Sequence, residues 1–163
     1  MKRLGIKPGS MVLDVGSGTG VLLPLLLNKT EQSGRIIALD IAEEMIRKAK
    51  DKCLGEKIYF IHASVNSIPL RDEIFDAVTI VSTLDHIEDP TPVLKEAKRV
   101  LKRGGRIFIQ NSIREEGINP WHLHTWTKEE LIELVNEVFT VVDTKVIENP
   151  KMGDNIFIKG TKK

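Results

Sequence analysis

A chain of 163 residues, 41% hydrophobic and 29% charged, is long enough to bury one full core and too short for two, which predicts one domain over 1–163 with a minimal N-terminal extension. Lys+Arg 24 against Asp+Glu 23 leaves a formal charge of +1, so no global basic field draws the chain to nucleic acid or to an anionic membrane. The longest apolar run, Val21 to Leu27, is broken by Pro24 and falls far short of the ~20 residues a membrane span needs. Met1-Lys2-Arg3 carries the charge of a secretory leader, but Gly5, Lys7, Pro8, Gly9 and Ser10 occupy its apolar stretch, and the lone Cys53 fits a reducing compartment. A cytoplasmic protein with no membrane partner is expected.

Periodicity gives the elements in order. Met11–Val15 is a β-branched-rich strand that runs at once into glycines, and Thr19 to Asn28 reads as a buried helix. Arg35–Leu39 repeats the strand signal, and Ala42 to Leu54 carries Met45, Ile46 and Ala49 at helical spacing. Lys57–His62 is a third strand, with His62 expected as a packed core histidine, and Ala63–Leu70 is too polar and too short for a helix before Pro69. Phe75–Val81 is a continuous apolar strand; Pro92 to Leu101 is an amphipathic helix, and Gly104-Gly105 turns the chain into a fifth strand, Arg106–Gln110. Thr127 and Glu130 form a capping box ahead of a helix reaching about Phe139. The closing strands, Thr140–Ile147 and Asn155–Gly160, are joined by too short a loop for a parallel crossover and must pair antiparallel. The result is an α/β sheet, mostly parallel, with helices on both faces.

The loop Asp14-Val15-Gly16-Ser17-Gly18-Thr19-Gly20 joins the first strand to the first helix. In such sheets ligands bind outside the carboxyl ends of the strands, and a glycine loop before a helix N-terminus brings backbone N–H groups to an anionic group. Val21 stands where the dinucleotide fingerprint G-x-G-x-x-G needs its last glycine, and no Gly-Lys-Ser/Thr ending follows, so neither an NAD loop nor a P-loop fits. Asp40, next after the second strand, can accept from two vicinal ribose hydroxyls or can simply favour the following helix N-terminus.

These residues, with Ile68-Pro69-Leu70, Phe75-Asp76-Ala77-Val78 and Leu94 through Gly105, resemble the class I S-adenosylmethionine-dependent methyltransferases, most of all the small-molecule branch, in order and spacing over nearly the whole chain. The resemblance implies a Rossmann-like seven-stranded sheet in the order 3-2-1-4-5-7-6 with strand 7 antiparallel. It implies S-adenosylmethionine as cofactor and S-adenosylhomocysteine as product. Asp14, Gly16, Ser17, Gly18, Thr19 and Gly20 would hold the methionyl part, Asp40 the ribose, and Ile41, Ser64, Val65 and Ser82 would complete the contacts, with Ser64 and Val65 flanking the adenine. Two positions depart from the pattern: Ser64 where many relatives have aspartate, and Arg103 where proline is usual.

An activated methyl asks mainly for alignment, plus a base where the acceptor loses a proton. His86, with Asp85 beside it after the fourth strand, is the candidate base; His122 and His124, between Trp121 and Trp126, are candidates on an acceptor wall. Each has a bland alternative: His86 orienting its turn, the tryptophans covering the sheet edge. The chain lacks the proline motif of exocyclic-amine nucleic-acid enzymes, a cysteine after the fourth strand and a metal-ligand cluster, so nucleic acid is disfavoured as acceptor and no metal is expected. Methyl transfer to O, N or S of a small or medium-sized acceptor is the leading reading. A non-catalytic S-adenosylmethionine-binding subunit and an aminopropyltransferase-like enzyme are the competing ones. With only Met1–Ser10 ahead of the first strand, no helical lid is expected there, and closure would come from the Asn111–Trp126 loop together with homodimer formation.

Overall fold

The computed structural model describes residues 5–31, 33–53, 57–113, 123–149 and 153–163. The strands are β1 (Met11–Val15), β2 (Arg35–Asp40), β3 (Ile58–His62), β4 (Phe75–Val81), β5 (Leu101–Ile113), β6 (Thr140–Ile147) and β7 (Asp154–Thr161). They form one sheet in the order 3-2-1-4-5-7-6. β1 pairs parallel with β2 and β4, β2 with β3 and β4 with β5, whereas β7 runs antiparallel to both β5 and β6. The expected order and the antiparallel seventh strand are both present.

The helices are α1 (Leu23–Thr30), α2 (Glu43–Lys52), α3 (Thr91–Val100) and α4 (Lys128–Val138). α1 starts four residues later than the sequence predicts. Gly20, at φ +76°, is in the left-handed region and cannot be helical, and Pro24 occupies the first turn, where its missing N–H costs nothing. α4 begins as expected: Glu130 N donates to Thr127 Oγ1 at 3.2 Å and Thr127 N to Glu130 Oε2 at 2.9 Å. β5 is longer at both ends than Arg106–Gln110. α3 passes directly into it at Leu101, and the pairing slips from Phe75↔Leu101 to Ala77↔Arg106 across a bulge where Gly104 takes φ +70°.

Alternation along the strands divides the core in two. Leu13, Val15, Val78, Ile80, Ile107 and Ile109 face α3 and α4, meeting Leu94, Leu131 and Val135; Val12, Ile36, Ala38 and Ala77 face α1 and α2, meeting Leu23, Leu26 and Ala49. On the α1 side the helices pack over β1, β2 and β3. Phe108 and Gln110 of β5 and Phe157 of β7 fall by register on that same side but belong to neither core. His62 is corrected: on edge strand β3 it is exposed rather than packed in the core, and its ring Nε2 donates to Ile41 O at 2.8 Å. No helix among the described residues is long and apolar enough to cross a membrane.

Candidate active site

The carboxyl ends of β1, β2 and β4 meet at the glycine loop. Gly16 N and Ser17 N both donate to Leu39 O, at 2.8 and 3.0 Å, which docks the loop on β2. Gly18 N donates to Asp40 Oδ2 at 2.7 Å, and Ala42 N to Asp40 Oδ1 at 2.9 Å. Asp40 thus ties the glycine loop to the residue that precedes α2. Each of its oxygens still keeps a lone pair for a hydroxyl donor.

The three loop glycines all have positive φ but differ in what a side chain there would meet. A Cβ on Gly16 would meet Thr83 Cγ2 and Oγ1 at 2.5 Å; one on Gly20 would meet Leu23 Cδ1 at 2.9 Å and Ala49 Cβ at 3.0 Å; one on Gly18 would meet nothing within 4 Å. Gly16 seats the loop against the end of β4, Gly20 seats α1 against α2, and Gly18 borders open space. Thr83, absent from the sequence-derived candidates, joins the two strand ends: its Oγ1 lies 3.3 Å from Val15 O and 3.0 Å from Val81 O.

Asp14 points from the end of β1 toward its neighbour on β4, where Thr79 Oγ1 donates to Asp14 Oδ1 at 2.7 Å. Burial pushes the Asp14 carboxyl up to about 7, against the pull of the Thr79 hydrogen bond, and the charge of Asp40 adds to the rise. Thr79 is likewise absent from the sequence-derived set.

Ser82 follows β4 with φ +49°, a strained conformation for a side chain with a Cβ. Gln110 holds it there: Ser82 N donates to Gln110 O at 2.9 Å and Ser82 Oγ to Gln110 Oε1 at 3.0 Å. A 3-10 turn over Leu84–His86 then brings the His86 Nε2 to 3.9 Å from Asp85 Oδ1, with Asp85 buried and His86 half exposed. Leu123 N and His124 N donate to Asp85 O at 2.8 and 3.2 Å, so the segment after β5 is tied to this turn. His124 Nε2 lies 2.6 Å from Glu88 O, and its ring stacks on Trp126 with centroids 4.9 Å apart. A carbonyl only accepts, so that nitrogen carries the proton and His124 is engaged in holding the turn. Trp126 is half-buried against the main core, and Leu123 is exposed. His122 and Trp121 lie outside the described residues.

On the far side of the site, Ser64 and Val65 follow β3, with Ala63 N donating to Asp40 O at 3.0 Å. Ser64 Oγ accepts from Asn66 N at 3.2 Å, Val65 packs on the core, and Ile41 is 65% exposed beside Asp40. Ser17 Oγ, both amide atoms of Asn111 and Trp126 Nε1 are buried without a hydrogen-bond partner, and all lie at this carboxyl edge. Among the described residues no group of three or more His, Cys, Asp or Glu is placed to hold a metal ion.

The methyltransferase-domain family matches residues 13–109. The ubiquinone/menaquinone biosynthesis C-methyltransferase UbiE of Shewanella sp. (strain W3-18-1) is 29% identical over 156 residues, covering 93% of this chain and 55% of that protein, so the chain spans about half the length of the curated relatives it matches. A SAM dependent methyltransferase from Aquifex aeolicus superposes with TM-score 0.83 at 28% identity over 99% of this chain and 87% of that one. The [4+2]-cyclase SpnF shares the fold at TM-score 0.86 and 19% identity, covering 99% of this chain and 78% of that one. With the family match spanning more than half its length and the strand order in place, the chain belongs to the methyltransferase-domain family and has the class I S-adenosylmethionine-dependent methyltransferase fold.

Proposed function

We propose that the chain binds S-adenosylmethionine across the ends of β1, β2 and β4 and transfers its methyl group to a small or medium-sized acceptor. The observation that carries this is the glycine loop itself: Gly18 opens onto free space beside the Asp40 carboxylate, and Ser17 Oγ is buried without a partner. The residues present fit the cofactor. Asp40 has acceptor capacity for ribose hydroxyls, the exposed Ile41 and the Val65 position offer apolar surface to a flat base, and Asp14 with the loop N–H groups suits an amino acid tail. When bound, the cofactor supplies an activated methyl: the S–CH3 bond breaks with its electron pair going to sulfur while the acceptor's pair forms the new bond.

The chain's own residues then have limited tasks. Thr83 and Gln110 hold the end of β4 beside the loop, which aligns the acceptor with the methyl. His86, beside Asp85, receives the proton that the acceptor loses. Methylation at O, N or S is widened to carbon by the UbiE-type relatives, whose name specifies C-methylation in quinone biosynthesis; an electron-rich ring carbon is the reading they favour. The SpnF likeness shows that this fold also houses other chemistry, so the product must be measured. Isothermal titration should show S-adenosylhomocysteine binding that Asp40→Ala weakens at least tenfold. Mass detection of a methylated product from a panel of phenols, quinols, amines and thiols identifies the acceptor atom. Binding of NAD in preference to S-adenosylhomocysteine defeats the reading, and activity that appears only with an added protein points to a binding subunit.

A further inference from the structure

At the edge of the sheet opposite the glycine loop, where the chain enters β1 and β4, lies a cavity of about 240 Å³ whose charged and polar lining is Lys7, Ser10, Asp76, Lys102, Arg103 and Arg106. Four cations against one carboxylate leave it at +3, in a chain whose whole formal charge is +1. Asp76 is already engaged: Oδ2 accepts from Met11 N at 2.8 Å and Oδ1 from Lys102 Nζ at 2.6 Å. Lys7 sits on a fixed turn, its N donating to Ser10 Oγ and its O accepting from Ser10 N, both at 3.0 Å. A Cβ on Gly5 would collide with the Arg106 guanidinium, so that group rests against bare backbone at a place only glycine leaves open. Neither the Lys7 ammonium nor the Arg106 guanidinium has a hydrogen-bond or ion-pair partner among the described residues. Arg103, 88% exposed, has only Glu73 Oε1 at 4.0 Å. Like charges gathered in one concavity repel one another and focus a positive field on it.

We propose that this cavity is a second ligand site, separate from the methyl-transfer site, and that it takes a compact soluble anion with two phosphate groups. Charge sets the number of phosphates: one carries about −1.5 to −2 near neutral pH, too little for a field of +3, and two suffice. The donors set the chemistry, since Arg103 and Arg106 offer planar forks that match phosphate oxygens while Lys7 and Lys102 act as point charges beside them. Size limits the rest of the ligand, because the cavity falls below the roughly 300–1,000 Å³ that drug-sized ligands occupy. The backbone leaves room for close approach: Gly104, at φ +70° in the β5 bulge, has nothing within 4 Å of where a Cβ would stand. Arg103, the residue that departs from the family pattern of proline before the glycine pair, supplies one of the four cations. Asp76 and Ser82 stand at opposite ends of β4, roughly 20 Å apart at ~3.3 Å per residue, so the two sites do not share a ligand.

The test titrates inorganic pyrophosphate, orthophosphate and sulfate into the full chain by calorimetry, with and without S-adenosylhomocysteine. Pyrophosphate should bind one to one and at least tenfold tighter than orthophosphate or sulfate, and S-adenosylhomocysteine should change its affinity less than twofold. Arg106→Gln should weaken it at least tenfold and the exposed Arg103→Gln at least threefold, whereas Lys128→Gln, at the start of α4, should change it less than twofold; thermal unfolding checks that each variant is folded. A loss in either folded arginine variant without one in Lys128→Gln supports the site. Pyrophosphate that binds no tighter than sulfate, or equally well to the wild type and both arginine variants, overturns the inference. Displacement of pyrophosphate by S-adenosylhomocysteine moves the anion to the glycine loop and overturns it too, as does sedimentation with phosphatidylglycerol vesicles in a chain that gives no heat with pyrophosphate, which assigns the cations to a lipid surface. A chain that fails to bind S-adenosylhomocysteine but binds pyrophosphate in this pattern removes the methyl-transfer reading and leaves this one standing.

Discussion

Asp14 is the residue at which the site and the stability of the fold meet. Its carboxyl is ordinary near 3.8 and about 7 when buried in the folded chain, so between those pH values the unfolded chain gives up its proton first. The group therefore contributes stability below about pH 4 that is lost as pH rises to about 7. Asp14→Asn removes this dependence: urea unfolding should show the variant gaining on the wild type from pH 4 to pH 7 and level thereafter, by at most about 4 kcal/mol for three units at ~1.4 kcal/mol each. A gap that is the same at pH 4 and pH 8 would put the carboxyl in water. His86 makes the complementary case, the candidate base on the turn after β4. His86→Ala should leave cofactor affinity intact and lower turnover about 10²–10⁴-fold, the span of general acid–base catalysis; turnover within a few-fold of the wild type leaves alignment as the whole mechanism. At this scale the sequence showed which residues have suitable chemistry, yet not what they touch. Asp40 was legible as a carboxylate at the end of the second strand, but its hold on Gly18 N depends on the loop conformation. Thr79 and Thr83 were not legible, because a threonine in or after a strand has no distinguishing local pattern until the pairing register sets Asp14 opposite Thr79.

The glycine loop is an element whose three glycines look alike in sequence and differ in space. Any side chain at Gly18 or Gly20 costs roughly 1–2 kcal/mol for a left-handed backbone. At Gly20 a Cβ also presses on Leu23 and Ala49, at 2.9 and 3.0 Å, and overpacking of that kind adds about 1–3 kcal/mol. Gly20→Ala should therefore unfold at lower urea than Gly18→Ala, while Gly18→Ala, whose Cβ enters open space, should lose more affinity for S-adenosylhomocysteine. Equal stability in the two variants would mean that α1 and α2 adjust freely around Gly20. The same positive φ explains why the helix start was misplaced: apolar periodicity runs from Thr19 onward, but the backbone cannot become helical until past Gly20. The strand–helix alternation was legible because each element carries its own period, and the capping box at Thr127 set a boundary by its side chains. The early start of β5 was not, because Leu101 to Gly105 reads as a helix end and only the bulged pairing with β4 makes it strand.

Over the whole molecule, the order of strands was legible through the family resemblance and the antiparallel closing pair through the short β6–β7 loop, whereas the grouping of apolar residues into clusters has no signature in one chain: Phe108 and Phe157 fall in neither of the two clusters, which only the placing of the helices shows. The site has a further molecular consequence. It is built from β1, β2 and β4 together, the middle of the sheet, so a ligand that contacts Asp40, the glycine loop and Ser82 at once links segments more than 40 residues apart in sequence. Such a ligand binds the folded chain and not the unfolded one. At 100 times its dissociation constant it adds about 2.7 kcal/mol, and at roughly 2–4 °C per kcal/mol for a domain of this size the unfolding midpoint should rise about 5–10 °C. Differential scanning fluorimetry with S-adenosylhomocysteine at that excess should show the shift in the wild type and in His86→Ala. At the same ligand concentration Asp40→Ala, with tenfold weaker binding, should lose about 1.4 kcal/mol of the gain and with it roughly half of the shift. An undiminished shift in Asp40→Ala would move the ribose away from β2, and no shift with the wild type would show that the sheet edge, however well shaped, does not hold this cofactor.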